Sequence, residues 1–186
     1  MEANMVSRRE FLKVMGFAAC GVAGSGLPAL VSPVMGAIDK ERVLSFDSLR
    51  TGEKLDVTYW SRGEYSRRAL HEVDHLLRDW RTNEVHSIDP ALLDLLFAVR
   101  RKLDTTAPFR VISGYRSPAT NAKLARRGRG VARKSLHMMG KAIDVAIPGV
   151  QIRALRNVAL SLERGGVGYY PRSGFIHLDT GRVRRW

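Results

Sequence analysis

The sequence has 186 residues, a formal net charge of +13, 45% hydrophobic residues, 26% charged residues and a single cysteine. These proportions are typical of one soluble globular domain, and no apolar stretch is long and uncharged enough to predict a retained membrane span. Because the cysteine is Cys20, disulfides and thiolate metal ligands are excluded from the remainder of the chain. The positive charge favours an acidic partner, such as nucleic acid, anionic lipid or a cell-wall polymer.

The first 37 residues resemble a twin-arginine export signal. The segment S-R-R-E-F-L-K at residues 7–13 precedes an apolar stretch rich in glycine and alanine, and small residues follow near Gly36. We therefore predict a signal peptide over residues 1–37, a mature domain over residues 38–186 and a periplasmic location. Cys20 loosely resembles a lipoprotein box, which leaves lipid anchoring as an alternative.

The mature region begins with a predicted hairpin and two predicted helices. Residues 43–50 and 55–60 alternate apolar and polar side chains on either side of a Thr-Gly-Glu-Lys turn, which is typical of a β-hairpin. Apolar residues recur at helical spacing over residues 65–81, which predicts an amphipathic helix. A second helix is predicted over residues 89–103, where an aspartate N-cap precedes a proline.

The second half of the mature region predicts short strands separated by helices. The predicted strands span residues 109–113, 142–147, 167–170 and 175–179, and the predicted helices span residues 117–127 and 151–164. Helices that precede and interrupt a small sheet indicate the α+β class. We expect an antiparallel sheet that is flanked by helices and carries the functional site.

A zincin-like pattern, H-E-x-x-H, occurs at residues 71–75. In a zincin helix both histidines bind zinc and the glutamate acts as the base. Here the apolar residues of the helix centre near Val73 and Trp80. At about 100° per residue, His71 and His75 therefore project from the opposite, solvated face. We interpret the pattern as a chance match on a solvated helix face.

Three later segments carry residues that suit a metal site. They are S-G-Y-R-S-P at residues 113–118, S-L-H-M-M-G-K-A-I-D at residues 135–144 and F-I-H-L-D at residues 175–179. A glycine turn can bring His137 and Asp144 to one point, and His177 lies on a predicted strand. Two imidazoles and one carboxylate form a suitable ligand set for catalytic zinc, with a fourth position open for water. On spacing alone they could instead be ordinary residues, with Asp144 paired to an arginine.

The segments S-G-Y-R-S, S-x-H-x-x-G-x-A-x-D and F-I-H-L-D-T-G resemble the LAS-type zinc peptidases. That group includes D-Ala-D-Ala dipeptidases and carboxypeptidases, shares its fold with the hedgehog signalling domain, and contains periplasmic murein endopeptidases. The resemblance covers nearly all of the mature chain. It implies one Zn²⁺ per chain held by His137, Asp144 and His177. It also implies that Arg116 holds and polarises the substrate near the scissile bond, and that Ser135 lines or supports the substrate site.

One departure from the family pattern concerns the general base. Many relatives carry Glu, Asp or His three residues before the last metal ligand, where this chain has Gly174. Asp179 is the nearest carboxylate in sequence, and strand alternation puts it on the same face as His177. It could accept the proton of the attacking water, or it could orient His177 from behind. We favour the base role.

Together these features predict a zinc-dependent murein endopeptidase that hydrolyses peptide cross-links of peptidoglycan. The choice between 3–4 and 3–3 cross-links is left open, as is additional D,D- or L,D-carboxypeptidase trimming. A noncatalytic, zinc-stabilised peptidoglycan-binding module is the alternative, and Gly174 motivates it. Nucleic-acid binding has only the charge in its favour, and the predicted export and the lack of a recognised nucleic-acid motif argue against it.

Overall fold

The structure, a computed structural model, describes residues 40–127 and 132–186. The predicted export signal over residues 1–37, with Cys20, lies outside the described residues. Within the described ranges, no helix is both long and apolar enough to cross a membrane.

A mixed sheet runs through the described part of the chain. Its strands are β1 (Glu41–Ser48), β2 (Lys54–Ser61), β3 (Glu64–Tyr65), β4 (Phe109–Ser113), β5 (Ala142–Ala146), β6 (Gly166–Tyr170), β7 (Phe175–Asp179) and β8 (Arg184–Arg185). They are ordered β3-β2-β1-β4-β5-β7-β6-β8. The pairs β1–β4 and β6–β8 are parallel, and the other neighbouring strands are antiparallel.

The α+β class is confirmed. The sheet has more strands than the sequence predicts, and it is mixed rather than purely antiparallel. Strands β3 and β8 have two residues each, which is too short for an alternating pattern to reveal them. The parallel pairing of β1 with β4 arises because two helices connect the hairpin to β4, and such a long crossover permits parallel strands. The strands nearest the predicted site, β4, β5, β7 and β6, pair antiparallel as expected.

Helix α1 is shorter than the apolar pattern over residues 65–81 predicts. It spans Arg67–Leu76. Beyond it the chain turns, because the buried carboxylate of Asp79 accepts the backbone N–H of Arg81 at 3.0 Å. Trp80 therefore lies outside the helix and is 40% exposed, so its assignment to the apolar helix face was wrong.

The remaining α-helices begin within one residue of their predicted starts, and the sequence did not predict the 3-10 helix. They are α2 (Pro90–Lys102), α3 (Pro118–Arg127) and α4 (Ile152–Leu160), with a short 3-10 helix over Leu136–Met139. Asp89 caps α2, since its Oδ1 accepts the Ala91 N–H at 3.0 Å. Helix α4 ends before the predicted residue 164, because Glu163 and Gly165 adopt φ angles of 52° and 98° that a right-handed helix excludes.

The hydrophobic core lies on one face of the sheet. Strands β5 and β7 contribute Ile143, Val145, Ile176 and Leu178 to it. Helices α1, α2 and α4 contribute residues such as Val73, Leu92, Leu96 and Leu155. Because strand side chains alternate between faces, Asp144 and His177 point to the opposite face from this core. The packed core thus leaves the other face of β5 and β7 available for a site.

Candidate metal centre

The pairing of β5 with β7 places Asp144 beside His177. The two residues are direct partners in the antiparallel register. His177 Nδ1 lies 2.9 Å from Asp144 Oδ1, although 33 residues separate them in the chain. A shift of one residue in this register would send one of the two side chains into the core.

His137 reaches the same point from the 3-10 helix that precedes β5. Ser135 caps that helix, with its Oγ accepting the His137 N–H at 3.4 Å. Gly140 ends it in the left-handed region with φ of 64°. A Cβ at Gly140 would lie 2.1 Å from the carbonyl oxygen of Ser87, so no larger residue fits this turn. The glycine therefore fixes the path from His137 into the strand that carries Asp144.

The three side chains fit a single tetrahedral metal ion. His137 Nε2 lies 3.1 Å from His177 Nδ1 and 3.3 Å from Asp144 Oδ1. Zinc with bonds of about 2.0–2.2 Å spaces its tetrahedral ligands roughly 3.3–3.5 Å apart. All three residues are buried, and they are the only His, Cys, Asp or Glu group of three with converging donor atoms among the described residues. The donor set therefore matches the predicted ligands, and the three donor-to-donor distances of 2.9, 3.1 and 3.3 Å lie at or slightly below the spacing around one zinc ion.

Hydrogen bonds behind the two histidines leave the correct nitrogens free for a metal. His137 Nδ1 lies 2.7 Å from the carbonyl oxygen of Gly114, so Nδ1 carries the proton that it donates. His177 Nε2 lies 2.9 Å from Asp179 Oδ2 and donates its proton there. His137 Nε2 and His177 Nδ1 then face the shared space, where each could give a lone pair to a metal ion in place of its contact with Asp144.

The surroundings of the site favour an ionised Asp144. Burial opposes its charge, but the two histidines and Arg116 outweigh burial and hold the pKa of Asp144 well below its usual range. Burial lowers the pKa of His137, which keeps that imidazole neutral. Burial also acts to lower the pKa of His177, yet hydrogen bonds to Asp144 and Asp179 overcome it and raise that pKa.

Arg116 contacts the candidate metal centre through Asp144. Its Nη2 donates to Asp144 Oδ2, the carboxylate oxygen that does not face the histidines, and its Nε donates to Ser113 Oγ at 2.9 Å. The backbone N–H of Arg116 also donates to the His137 carbonyl oxygen at 3.2 Å. Arg116 thus ties three parts of the site together, and 14% of its side chain remains exposed.

Asp179 lies behind His177, on the far side of the imidazole from the other ligands. Its carboxylate is fully buried and accepts from His177 Nε2 and from both terminal nitrogens of Arg184. The backbone N–H groups of Gly166 and Gly181 complete its hydrogen bonds. Burial raises the pKa of Asp179, but these donors outweigh it and hold the pKa far below its usual range. This geometry agrees with orientation of His177 and separates Asp179 from the space that water would occupy.

A cleft of about 410 Å³ opens onto the three ligands. Its lining includes the basic residues Arg116, Lys134 and Arg184 and the aromatic residues Tyr170, Phe175 and Trp186. Ser135 also lines it, as the family resemblance implies. Asp179 does not line it, and Asp144 is the only carboxylate among the described residues that do.

The histidines of the H-E-x-x-H pattern do not take part in this site. His71 and His75 are exposed on α1, as the helix-face argument predicts. His75 Nδ1 lies 3.3 Å from Arg78 Nη1, a cation that would repel a metal ion. Neither histidine belongs to a group of converging metal donors among the described residues.

Three contributors to the site were missed in the sequence. The Gly114 carbonyl is a backbone group, and a sequence carries no sign of its direction. Arg184 and Trp186 lie in or beside β8, whose two residues are too few for a pattern to place them. A weak signal existed in the glycine at position 168, because a residue that faces a large neighbour across a sheet is often glycine.

The chain is similar along its whole length to known proteins. A family model described as "Peptidoglycan L,D-endopeptidase MepK" matches residues 36–186. The protein of the same name from Escherichia coli K12 is 41% identical over 186 residues, which is 100% of both chains. A Haemophilus influenzae protein named "Probable peptidoglycan L,D-endopeptidase MepK" is 41% identical over 183 residues, covering 97% of this chain and 95% of the relative. Each match extends over the strands that carry the candidate ligands.

Proposed function

The chain belongs to the peptidoglycan L,D-endopeptidase MepK family, and from this premise we propose that its activity depends on one zinc ion held by His137, Asp144 and His177. Family membership confirms the resemblance drawn from the motifs and makes the protein a murein endopeptidase. The observation that carries the metal proposal is the convergence of three buried donor atoms at the floor of a cleft.

Zinc is the metal that suits this ligand set best. Two neutral imidazoles and one carboxylate, with an open fourth position, form a common ligand set of catalytic zinc sites. Bound there, zinc would polarise the scissile carbonyl and lower the pKa of a bound water molecule. Asp144 contributes the negative charge, and the carbonyl of Gly114 and the carboxylate of Asp179 hold the two imidazoles in place.

We propose that Arg116 binds the substrate in addition to its hydrogen bond with Asp144. Its partly exposed guanidinium lies at the edge of the cleft and donates to Asp144 Oδ2. A guanidinium in this position can donate to the oxygen of the scissile carbonyl or to a carboxylate of the peptide stem. Ser135 is proposed to support the same region, since it lines the cleft and caps the helix that carries His137.

Asp179 is proposed to be a positioning residue rather than the general base. This proposal replaces the preference that sequence adjacency suggested. It is supported by the full burial of the carboxylate, its four hydrogen-bond partners and its place behind His177. A carboxylate that contacts only the far nitrogen of a ligand can orient that ligand, but it cannot reach a water molecule on the near side.

The bond that is cut is proposed to join an L-centre to a D-centre. The support is the name of the relatives, which are L,D-endopeptidases at 41% identity. Mass spectrometry of the products from purified 3–3 and 3–4 cross-linked muropeptide dimers would separate the two kinds of cross-link. Release of monomers from the 3–4 dimer alone would contradict the proposal.

The metal proposal is tested by muropeptide digestion with zinc supplied. We expect the wild-type protein to bind one zinc ion per chain and to cleave cross-linked muropeptide dimers. His137→Ala is expected to lose both properties, because it removes a ligand and leaves two. His71→Ala is the matched control, since His71 is an exposed histidine of the competing pattern and should keep both. Equal cleavage by wild type and His137→Ala would refute the site.

A further inference from the structure

Trp186 closes one side of the cleft directly beside the candidate metal centre. Its ring centroid lies 5.2 Å from that of His177, at an interplanar angle of 50°. The residue is 50% exposed, and it lines the cleft together with Tyr170 and Phe175. The indole therefore lies beside the space where a scissile bond would reach the candidate metal centre.

The indole is held in a fixed position by its backbone and its ring nitrogen. The Trp186 backbone pairs with β6 on both sides, donating to the Val167 carbonyl at 3.3 Å and accepting from the Tyr169 N–H at 3.0 Å. Trp186 Nε1 donates to the Tyr170 hydroxyl at 2.8 Å, and the Tyr170 ring stacks on Phe175 at 4.8 Å. A ring held in this way presents a preformed surface, which lowers the entropy cost of binding.

Gly168 provides the space that the indole occupies. It is the β6 partner of His177 in the sheet register. A Cβ at Gly168 would lie 2.7 Å from Trp186 Cε2 and 2.9 Å from Nε1, so any side chain there must displace the ring. The glycine thus lets the indole lie against the sheet next to the metal ligand.

The same cleft also has basic lining residues. They are Arg116, Lys134 and Arg184, and the Arg184 guanidinium lies over the Trp186 ring, with its Cζ 4.9 Å from the ring centroid. A murein stem peptide carries both carboxylates and aliphatic side chains. Carboxylates are attracted to the basic residues, whereas hydrocarbon groups gain most by leaving water against an aromatic surface.

We propose that Trp186, supported by Tyr170 and Gly168, is a specificity-determining residue whose indole packs against the aliphatic side chain of a stem-peptide residue flanking the scissile bond. This inference rests on the proposed function, since it concerns the substrate of the same cleft. It assigns to Trp186 a role in binding the substrate and none in holding the metal.

The test compares Trp186→Ala with Trp80→Ala. Trp80 is a matched control, because it is 40% exposed, contacts arginines as Trp186 does, and does not line the cleft. The dissociation constant of a cross-linked muropeptide dimer is measured on zinc-free protein, where no turnover occurs, and KM and kcat are measured with zinc. Zinc affinity and thermal unfolding are measured in parallel.

For Trp186→Ala we expect the dissociation constant and KM to rise about tenfold or more, as for loss of a central aromatic contact, with kcat changing less than about threefold. Trp186→Phe should recover most of the loss, and Trp80→Ala should match the wild type. Gly168→Ala keeps all three aromatic side chains of the cleft but displaces the indole, so it should also raise KM.

Two results would overturn the inference. Unchanged muropeptide binding and KM in Trp186→Ala would show that the indole does not contact the substrate. Loss of zinc affinity together with a lowered unfolding temperature would show a structural role instead. Failure of the proposed function is distinguishable from both, because wild-type protein would then neither bind zinc nor cleave the dimer.

Discussion

Asp144 divides its carboxylate between the histidines and an arginine. Oδ1 faces the donor nitrogens of His137 and His177, and Oδ2 accepts from Arg116. On spacing alone, metal ligation and arginine pairing were competing roles for this residue. The structure accommodates both, because a carboxylate has two oxygens and each can serve a different partner.

Asp179 offers a residue-scale test of positioning against proton transfer. In Asp179→Asn the side chain keeps its size but no longer accepts the His177 proton as a charged partner. We expect zinc affinity to fall about 10–100-fold, as is usual for the loss of a carboxylate behind a histidine ligand. At saturating zinc, kcat should return close to the wild-type value. A competition titration against a chromophoric zinc chelator, followed by kinetics, provides both measurements.

The control for this variant is Asp56→Asn, an exposed aspartate on β2. It should change neither zinc affinity nor kcat. If Asp179→Asn instead kept its zinc affinity and lost kcat at every zinc concentration, Asp179 would be acting on the proton and the positioning role would be wrong.

At the scale of elements, the loop after α1 supports the candidate metal centre through hydrogen bonds. Leu77 follows α1 as its C-cap, and its carbonyl accepts the Tyr115 N–H at 2.7 Å. Asp79 Oδ2 accepts the Ser117 N–H at 2.9 Å. These bonds hold the segment between β4 and α3, which presents the Gly114 carbonyl to His137. The site therefore requires α1 to end early, although the apolar pattern of the sequence continues at helical spacing beyond that end.

Asp79 makes this loop sensitive to acid. Burial raises its pKa, but hydrogen bonds from Thr120, Ser117 and Arg81 outweigh burial and lower the pKa below the ordinary value of 3.8. A lowered pKa in the folded state gives stability that is complete above the ordinary value and is lost as pH falls through the folded-state value. The stability that Asp79 supplies should therefore disappear on acidification below about pH 4.

Asp79→Asn tests this acid dependence. At pH 7 we expect the free energy of unfolding to fall by about 1–3 kcal/mol, because an amide is a weaker acceptor for these buried N–H groups. The difference from wild type should shrink as pH falls from 5 to about 3, since protonation weakens the wild-type acceptor too. Urea unfolding at several pH values measures it, and a difference independent of pH would contradict the assignment.

At the scale of the whole molecule, the net charge and the predicted signal peptide indicate the same compartment. The net charge of +13 suits an anionic polymer, and murein stems carry free carboxylates. Murein lies outside the cytoplasmic membrane, so a murein endopeptidase must be exported. The S-R-R-E-F-L-K segment resembles a twin-arginine signal, and on this basis we propose export by that route to the periplasm.

Replacement of both arginines by lysine tests the export route. In the full chain, Arg8→Lys with Arg9→Lys keeps the charge but removes the paired guanidinium groups. We expect the protein to stay in the cytoplasm, measured by cell fractionation and immunoblotting. Cys20→Ser should leave the periplasmic location unchanged. Normal export of the double variant would contradict the twin-arginine route, and release from a membrane fraction in Cys20→Ser would favour lipid anchoring.

The sequence by itself determined the α+β class, the family and the candidate metal ligands. The class depends on local information, such as alternation within a strand or an aspartate-proline cap. The family and the ligand set came from the combined S-G-Y-R-S, S-x-H-x-x-G-x-A-x-D and F-I-H-L-D-T-G motifs. The exclusion of His71 and His75 was also local, because a single helix decides which side chains share its face.

Only the tertiary structure decided the position of the Asp179 carboxylate and the place of Trp186 in the cleft. Sequence adjacency put Asp179 on the same face as His177, and the structure shows that its carboxylate contacts Nε2 of His177, whereas Nδ1 contacts Asp144. Trp186 comes beside His177 only because β8 pairs with β6 and β6 pairs with β7. Such long-range pairings depend on hydrogen bonds between distant backbone segments, and backbone groups are the same in every residue, so the sequence carries little trace of them.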